Sequence, residues 1–233
     1  MKPRIIRNIP RPDPEVVRAL RDLGVATVHE SQGRKGLTRP YLRPIYPDAR
    51  VAGPAVTVSS QPGDNLMIHA SVEVCRPGDV LVVTTTSESS DGMFGELLAV
   101  SCQAHGVVGV IIDAGVRDTA ELTAMRFPVW AKAISAQGTV KVTAGSVNVS
   151  VICAGVIVNP GDVIVADADG VVVVPSGHAA EVAALGKQRV AKEEKTRERL
   201  HKGELGVDFY GLRAKLEELG VEYLDEVPDP DST

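Results

Sequence analysis

The sequence predicts a mixed α/β protein, with a C-terminal helical extension. Hydrophobic residues make up 44% of its 233 residues but aromatic residues only 3%, so Val, Ile, Leu and Ala must build the core. Runs of β-branched residues alternate with helical patterns; a predicted helix from Glu96 to His105, for example, precedes the apolar run Val107–Ile112. This length suits one sizeable core, so we expect a single domain over residues 1–226.

Turn and cap signals place the individual elements. Asp13 can cap a first helix that has Pro14 in its first turn and ends at Gly24. Three copies of Pro-Gly-Asp, beginning at Pro62, Pro77 and Pro160, predict type II turns. The other predicted strands are Val51–Ser59, Val80–Val83, Phe127–Ala131, Val163–Ala166 and Val171–Val174.

The C-terminal part of the chain changes character. From Ala179 to Leu200 the pattern is helical and highly charged, which is typical of a solvated helix face. Residues 227–233 are mostly Pro, Asp and Ser, and this composition predicts a disordered tail.

Composition also limits the functions to consider. The net charge of −5 and the pI near 5.6 argue against binding to nucleic acid or to anionic membranes, but not against a small anionic substrate. The three cysteines, Cys75, Cys102 and Cys153, form no Cys-x-x-Cys pair and predict buried thiols in a reducing compartment. Because the N-terminus lacks the apolar stretch of a signal peptide, we expect a cytoplasmic protein. The uncharged segment from Val142 to Gly161 contains Asn and Pro, and it predicts buried strands in preference to a membrane span.

The most informative stretch is Asp113–Thr123. An apolar strand leads into a glycine-containing loop, which brings Arg117 and Asp118 to the start of a short helix. A cation beside a carboxylate suits an oxyanionic substrate held next to a divalent metal. The alternative is structural: Asp118 caps the helix, Glu121 reaches back, and Arg117 pairs with an acid. These residues alone favour that alternative, since helix caps far outnumber metal sites.

A second candidate stretch is Asp91–Leu98. Glycine followed by a helix start exposes backbone N–H groups that can hold a carboxylate or a developing oxyanion. An ordinary junction between a loop and a helix is the alternative. His29, beside Glu30, is interpreted as a polar residue at a strand end whose hydrogen bonds are satisfied. The alternative is that His29 lines the functional site.

Seven blocks, taken in order, resemble one family of enzymes. The blocks are Thr27–Glu30, Gly63–Asn65, Asp91–Leu98, Asp113–Asp118, Gly145–Val149, Asn159–Val163 and Asp167–Val171. They resemble the 4-hydroxy-4-methyl-2-oxoglutarate / 4-carboxy-4-hydroxy-2-oxoadipate aldolases, within the superfamily of the regulator of ribonuclease activity A. The resemblance runs from about residue 15 to 225 without large gaps, and it favours the functional interpretation of Arg117 and Asp118.

The resemblance implies a metal-dependent (class II) retro-aldol cleavage that releases pyruvate, with oxaloacetate decarboxylation as a side activity. Asp118 would anchor Mg²⁺ or Mn²⁺, and Arg117 would contact the substrate and steady the enolate. Backbone N–H groups would meet the pyruvyl end of the substrate. The residues that would offer them are Gly95, Glu96, Leu97 and Leu98.

The resemblance is less direct for the general base. The resemblance gives the base role to Glu96, where the family often has the aspartate of a Gly-Asp-Leu-Leu loop. The extra methylene of glutamate moves the carboxylate by more than ~1 Å from the position of that aspartate. A further family acid, contributed by a neighbouring subunit, falls near Glu193 or Glu194, for which a solvated helix pair is the alternative. The family also implies a swivelling-domain-like β/β/α arrangement and a homotrimer or homohexamer.

The sequence leaves three alternatives to a metal-dependent aldolase. A Schiff-base aldolase would need an activated lysine, for which Lys132 is the best candidate. Alternatively, the protein would bind ribonuclease E and inhibit it without catalysis, as relatives in the same superfamily do. A methyltransferase ranks last, because no glycine-rich nucleotide site of the usual kind lies near the N-terminus. The substrate expected for the leading hypothesis is a small anionic 2-oxo acid.

Overall fold

A computed structural model describes residues 2–227. The chain divides into two compact units, one ending at Arg189 and the other beginning at Val190. The single domain over residues 1–226 stays a prediction, and residues 228–233 of the predicted tail lie outside the described residues. None of the helices described between residues 2 and 227 is long and apolar enough to cross a membrane.

The prediction of a mixed α/β fold with a C-terminal helical part is confirmed. The strands are β1 (Arg4–Ile5), β2 (Arg43–Pro44), β3 (Val51–Ser60), β4 (Val80–Thr85), β5 (Gly92–Phe94), β6 (Gly109–Val116), β7 (Val129–Ile134), β8 (Ser146–Val147), β9 (Val151–Cys153), β10 (Val156–Val158), β11 (Val163–Asp167) and β12 (Gly170–Val174). The helices are α1 (Pro14–Ser31), α2 (Leu66–Val72), α3 (Glu96–Ala104), α4 (Thr119–Ala124), α5 (Ala179–His201), α6 (Gly206–Phe209) and α7 (Leu212–Glu218), with a 3₁₀ turn at Ser176–His178.

The main sheet is built around parallel strands. Its order is β1-β8-β3-β4-β6-β7-β2, in which β3, β4, β6 and β7 run parallel to one another. Strand β11 adds antiparallel to β3 and carries β12 beside it, whereas β9 and β10 form a separate hairpin. Because the parallel strands share a direction, their carboxyl ends meet at one edge, where α/β proteins usually place ligands.

Burial on both faces of the sheet explains its valine-rich strands. Residues of α2 and α3 pack on one face, with Val110 and Ile112 of β6 among their neighbours. Ile111, between those two, packs on the other face with residues of β9 to β12. Helices α1 and α5 cover β11 and β12 in a third cluster. The result is a layered arrangement in which strand side chains alternate between two cores.

The segment after Gly24 differs from the prediction. Gly24 breaks the first helix with φ +80°, as expected, but the chain then resumes helical structure as far as Ser31. The interpretation of His29 as a residue at a strand end was therefore wrong. Val25 and Val28, three residues apart, bury on one helical face, and Asp167 Oδ2 accepts from the N–H of Val25 at 2.9 Å. Packing and a capping acid outweigh the weak β preference of these valines.

The three Pro-Gly-Asp segments are turns whose glycines have positive φ. The angles at Gly63, Gly78 and Gly161 are +66°, +93° and +88°. The sequence did not reveal the role of the aspartates that follow, which are all buried. Each carboxylate accepts several hydrogen bonds and so ties together segments that are distant in the sequence.

Asp64 illustrates this role. Its carboxylate accepts from the N–H groups of Leu66, Val142 and Thr143, and so fastens residues 140–143 to the turn. Burial raises the pKa of the Asp64 carboxyl, but these backbone donors together bring that pKa below its usual value. The charged form is thus the form that the fold holds.

The Arg11–Asp79 ion pair makes a prediction about stability. Arg11 Nε and Nη2 donate to the two carboxylate oxygens of Asp79 at 2.9 and 2.7 Å, and the Asp79 side chain is 1% exposed. Arg11→Met leaves a buried carboxylate without its cation, so we expect a loss of about 3 kcal/mol or more in the free energy of unfolding. Denaturant titration measures it. Arg18→Met, which removes the exposed Arg18–Glu15 pair, should cost less than about 1 kcal/mol. Equal losses of stability in the two variants would contradict the assignment of Arg11 and Asp79 as a stabilising buried ion pair.

Candidate active site

Strand β6 runs further than its apolar pattern suggested. The predicted loop at Asp113–Val116 was wrong, because these residues are part of the strand and only Arg117 and Asp118 separate it from α4. Gly115 and Val116 pair with β5 on one side and with β7 on the other. A Cβ on Gly115 would overlap the carbonyl oxygen of Ser90, so glycine is required where β5 approaches.

Asp118 does not cap α4. It has left-handed backbone angles, φ +55° and ψ +40°, and no side chain caps the helix that follows. Aspartate tolerates this conformation better than most residues do. Its Oδ2 instead accepts from the N–H of Glu96, the first residue of α3, at 3.1 Å. The capping interpretation is therefore wrong, and the carboxylate faces the N-terminus of a different helix.

The N-terminus of α3 forms the second part of the candidate site. Ala99 N–H bonds to the carbonyl of Gly95, whereas the N–H groups of Leu97 and Leu98 have no acceptor within residues 2–227. Gly95 has no side chain to cap them. Free N–H groups at a helix N-terminus carry partial positive charge and bind anions.

Gly95 is required by the close approach of Asp118. Its φ of −158° is ordinary extended backbone, so conformation does not explain the glycine. A Cβ at this position would overlap Asp118 Oδ2 and press on the side chain of Arg117. Only a residue without a Cβ lets the carboxylate reach the N–H of Glu96.

Arg117 lies against the same helix start. Its N–H donates to the carbonyl of Phe94 at 2.9 Å, and its Nε lies 3.6 Å from Asp118 Oδ2. The Arg117 and Asp118 side chains are 46% and 38% exposed, so both charged groups are open to solvent. The Arg117 guanidinium also passes close to Gly138, in the segment that precedes Lys141.

Asn65 borders this site and was not singled out from the sequence. Its Nδ2 donates to the carbonyl of Met93 at 3.2 Å, two residues before Gly95. Its Oδ1 is buried and has no partner among the described residues. A buried amide oxygen without a donor is costly, which marks the position as unusual. The signal available from the sequence was the Gly63-Asp64-Asn65 block.

The structure brings together Gly95–Leu98, Arg117 and Asp118, but not every predicted residue. The Leu97 side chain is 78% exposed and that of Leu98 is buried, so both can serve the site only through their backbone. Lys132 lies on β7 and pairs with Glu88. Glu193 and Glu194 lie in the second unit, where Glu194 forms an ion pair with Arg197. Their predicted role in a neighbouring subunit stays a prediction.

The chain is similar to proteins of one known family. A family profile for RraA-like proteins, described as Aldolase/RraA, matches residues 19–173. The chain belongs to the Aldolase/RraA family. A Halalkalibacterium halodurans protein with the name "Putative 4-hydroxy-4-methyl-2-oxoglutarate aldolase" is 31% identical over 197 residues, which cover 84% of this chain and 91% of that one.

Solved structures of Aldolase/RraA relatives have the same fold. Streptomyces coelicolor RraAS2, described as an unusual member of the RNase ES inhibitor RraA protein family, matches with a TM-score of 0.73 and 30% identity. That match covers 82% of this chain and 99% of RraAS2. A Thermus RraA, described as an RNA-processing inhibitor, matches with a TM-score of 0.58 and 28% identity over 64% of this chain and 91% of its own. The family thus includes proteins named as aldolases and proteins named as inhibitors.

The contact between Gly95 and Asp118 makes a prediction. Gly95→Ala should displace the carboxylate from the N–H of Glu96 with little loss of stability, because the half-exposed side chain can turn into solvent. In the unaltered protein this hydrogen bond should slow the exchange of the Glu96 amide with deuterated solvent, a response that NMR spectra measure. That response should vanish in Gly95→Ala. It should persist in Gly177→Ala, where a Cβ meets nothing within 4 Å.

Proposed function

We propose that this protein is a divalent-metal-dependent pyruvate aldolase. It would cleave 4-hydroxy-4-methyl-2-oxoglutarate, 4-carboxy-4-hydroxy-2-oxoadipate or both, and release pyruvate together with pyruvate or oxaloacetate. One observation carries the proposal: the Asp118 carboxylate is fixed on the N–H of Glu96, with Arg117 beside it and two free N–H groups next along the helix. A carboxylate that only capped a helix would need neither Arg117 beside it nor the two free N–H groups.

The N-terminus of α3 is suited to bind the pyruvyl end of an anionic 2-oxo acid. The free N–H groups of Leu97 and Leu98 can donate to its carboxylate, and the helix dipole adds to the attraction. Arg117 supplies a full positive charge on the same side. Together these groups recognise a substrate whose carboxylate and keto oxygen are adjacent.

The donor set fits a hard divalent ion with a water-rich shell. No group of three or more His, Cys, Asp or Glu side chains within residues 2–227 could hold a metal, so the protein would supply few ligands. Asp118 Oδ1 accepts no hydrogen bond from the described residues, and the side chain is half-exposed, so this oxygen would be available to Mg²⁺ or Mn²⁺. When bound, such an ion acts as a Lewis acid toward the 2-oxo acid.

The residues of the chain supply the rest of the chemistry. When the C3–C4 bond breaks, its electron pair moves onto the pyruvyl half as the C4 hydroxyl loses its proton and becomes a carbonyl. Arg117 offers a fixed positive charge to the developing enolate, at no cost of reorganisation. Loss of carbon dioxide from oxaloacetate gives the same pyruvate enolate, so the same groups support decarboxylation.

The C4 hydroxyl proton needs an acceptor. Glu96 is the first residue of α3, its backbone N–H bonds to Asp118, and its carboxylate would be the acceptor. Glu193 or Glu194 of a neighbouring copy would be the alternative acceptor in a homotrimer or homohexamer. The exposure of Arg117, Asp118 and Leu97 in a single chain is consistent with a site that a second copy covers.

A pyruvate-release assay tests the proposal. Both 4-hydroxy acids and oxaloacetate are offered to the purified protein with Mg²⁺, with Mn²⁺ and with EDTA. We expect turnover with a metal and none with EDTA. Arg117→Ala and Asp118→Ala should each lower kcat/KM by about a hundredfold or more, because each removes charge stabilisation of the transition state.

The chain offers a matched control for these two variants. Arg126 and Asp48 form another exposed arginine–aspartate pair, bonded at 2.6 Å, outside the candidate site. Arg126→Ala and Asp48→Ala should leave turnover unchanged. Absence of pyruvate from all three substrates would sink the aldolase, and turnover that ignores EDTA would favour the Schiff-base route through Lys132.

Substitution and mixing identify the proton acceptor. If Glu96 accepts the proton, Glu96→Gln should lower kcat by about a hundredfold, and Glu96→Asp should restore much of it. If a neighbouring copy supplies the acid, Glu193→Gln or Glu194→Gln should be inactive instead. Co-expression of that variant with Asp118→Ala should then recover activity in mixed assemblies. Full turnover by a stable monomer would contradict the shared site.

Similarity to the Streptomyces and Thermus inhibitor proteins supports a second candidate function, a protein that binds ribonuclease E and inhibits it. A purified ribonuclease E cleavage assay separates the two. An inhibitor should slow RNA cleavage equally with the Asp118→Ala variant, since inhibition by binding has no need of the metal-anchoring carboxylate.

A further inference from the structure

A second cleft lies at the carboxyl edge of the parallel strands. It has a volume of about 550 Å³ and is lined by residues from β4, β6 and β7 and from two loops. The charged and aromatic residues that line it are Arg39, Tyr41, Glu88, Asp113 and Lys132. None of them belongs to the site formed by Gly95–Leu98, Arg117 and Asp118. In α/β proteins this edge of a sheet is the usual place for ligands.

Asp113 lines this cleft, and both of its carboxylate oxygens accept hydrogen bonds. Its Oδ1 accepts from the hydroxyl of Tyr41 at 2.9 Å, and its Oδ2 accepts from the N–H of Ala154 at 2.8 Å. Burial, followed by the bond to Asp113, raises the pKa of Tyr41, so its hydroxyl remains a donor. Among the described residues, Asp113 forms no ion pair with Arg39 or Lys132, and its two oxygens are instead bonded to Tyr41 and Ala154.

Lys132 has an easily exchanged partner. Its side chain is only 21% exposed, and its ammonium lies 5.6 Å from the ring centroid of Tyr41. Its carboxylate partner, Glu88 Oε1, lies 2.5 Å away on a side chain that is 83% exposed, in the loop between β4 and β5. An exposed glutamate contributes little by such a pair, whereas a lysine that is mostly buried needs an anion beside it.

Arg39 supplies a second positive charge. It lines the same cleft and has no acidic partner within residues 2–227. Its backbone N–H donates to the carbonyl of Ala154 at 2.9 Å, so the residue is fixed to the loop that also binds Asp113. Two cations therefore line one cleft. Arg39 has no acidic partner among the described residues, and the Glu88 carboxylate beside Lys132 occupies a position that a ligand carboxylate could take.

We propose that this cleft binds a small dicarboxylate, which displaces Glu88 from Lys132 and takes its second contact from Arg39. Glu88 demonstrates that the Lys132 ammonium accepts a carboxylate in this geometry. The cleft is large enough for a short dicarboxylic acid, and the residues that line it are charged or carry a hydroxyl group. The proposal requires neither a metal nor turnover at the Arg117–Asp118 site.

Calorimetric titration with succinate tests the proposal. The protein carries Arg117→Ala together with Asp118→Ala and the buffer contains EDTA, so the cation and the metal anchor of the proposed catalytic site are both removed. Lys132→Gln should weaken succinate binding by roughly tenfold or more, because a charge-assisted contact is lost. Arg39→Gln, a surface change with little risk to folding, should weaken it as well. Acetate, with one carboxylate, should bind more weakly than succinate.

Glu88→Gln provides the sharpest readout, since it should strengthen succinate binding about threefold by removing the internal competitor. Glu73→Gln is the matched control: it removes the same charge from another exposed glutamate, paired with Arg7, and should leave the affinity unchanged. No succinate binding, or binding that ignores Lys132→Gln and Arg39→Gln, overturns the proposal. Tighter binding of inorganic phosphate than of succinate overturns the assignment to a carboxylate.

Discussion

The hydrogen bond from the N–H of Glu96 to the Asp118 carboxylate is the contact on which the candidate site depends. It joins two segments 22 residues apart and requires three conditions at once. Strand β6 must extend to Val116 between β5 and β7, Asp118 must adopt left-handed backbone angles, and Gly95 must lack a Cβ. Each condition carries a conformational cost, and the surrounding sheet offsets these costs because it fixes both segments.

That contact also decides which groups remain for a substrate. The carboxylate uses one of the N–H groups at the start of α3 and leaves those of Leu97 and Leu98 free. Arg117 Nε lies 3.6 Å from the same carboxylate. A half-exposed carboxylate and a helix end with free N–H groups thus lie together, which is the juxtaposition that the proposed cleavage of a 2-oxo acid would need.

Local signals predicted most of the first unit. Runs such as Val80–Val83 and Val171–Val174 are strands because their mostly β-branched side chains favour extended backbone and fill the cores on both faces. Each Pro-Gly-Asp segment turns where its glycine permits positive φ. Non-local contacts could not be predicted in this way. The helix after Gly24 depends on Asp167, and the orientation of Asp118 depends on Glu96, neither of which is near in the sequence. The family resemblance named the residues of the candidate site, but not the contact between them.

The second unit adds a constraint that a single chain does not satisfy. Within residues 190–227 no side chain is buried, although this stretch carries Leu205, Tyr210, Leu219 and Tyr223, all more than half exposed. Short helices such as α6 and α7 gain little from propensity alone, and ordering a segment costs roughly 1–2 kcal/mol per residue. Apolar surface must be buried elsewhere to offset that cost. The proposed homotrimer or homohexamer would supply such a surface, and the same assembly would bring Glu193 and Glu194 to a neighbour's half-exposed Asp118.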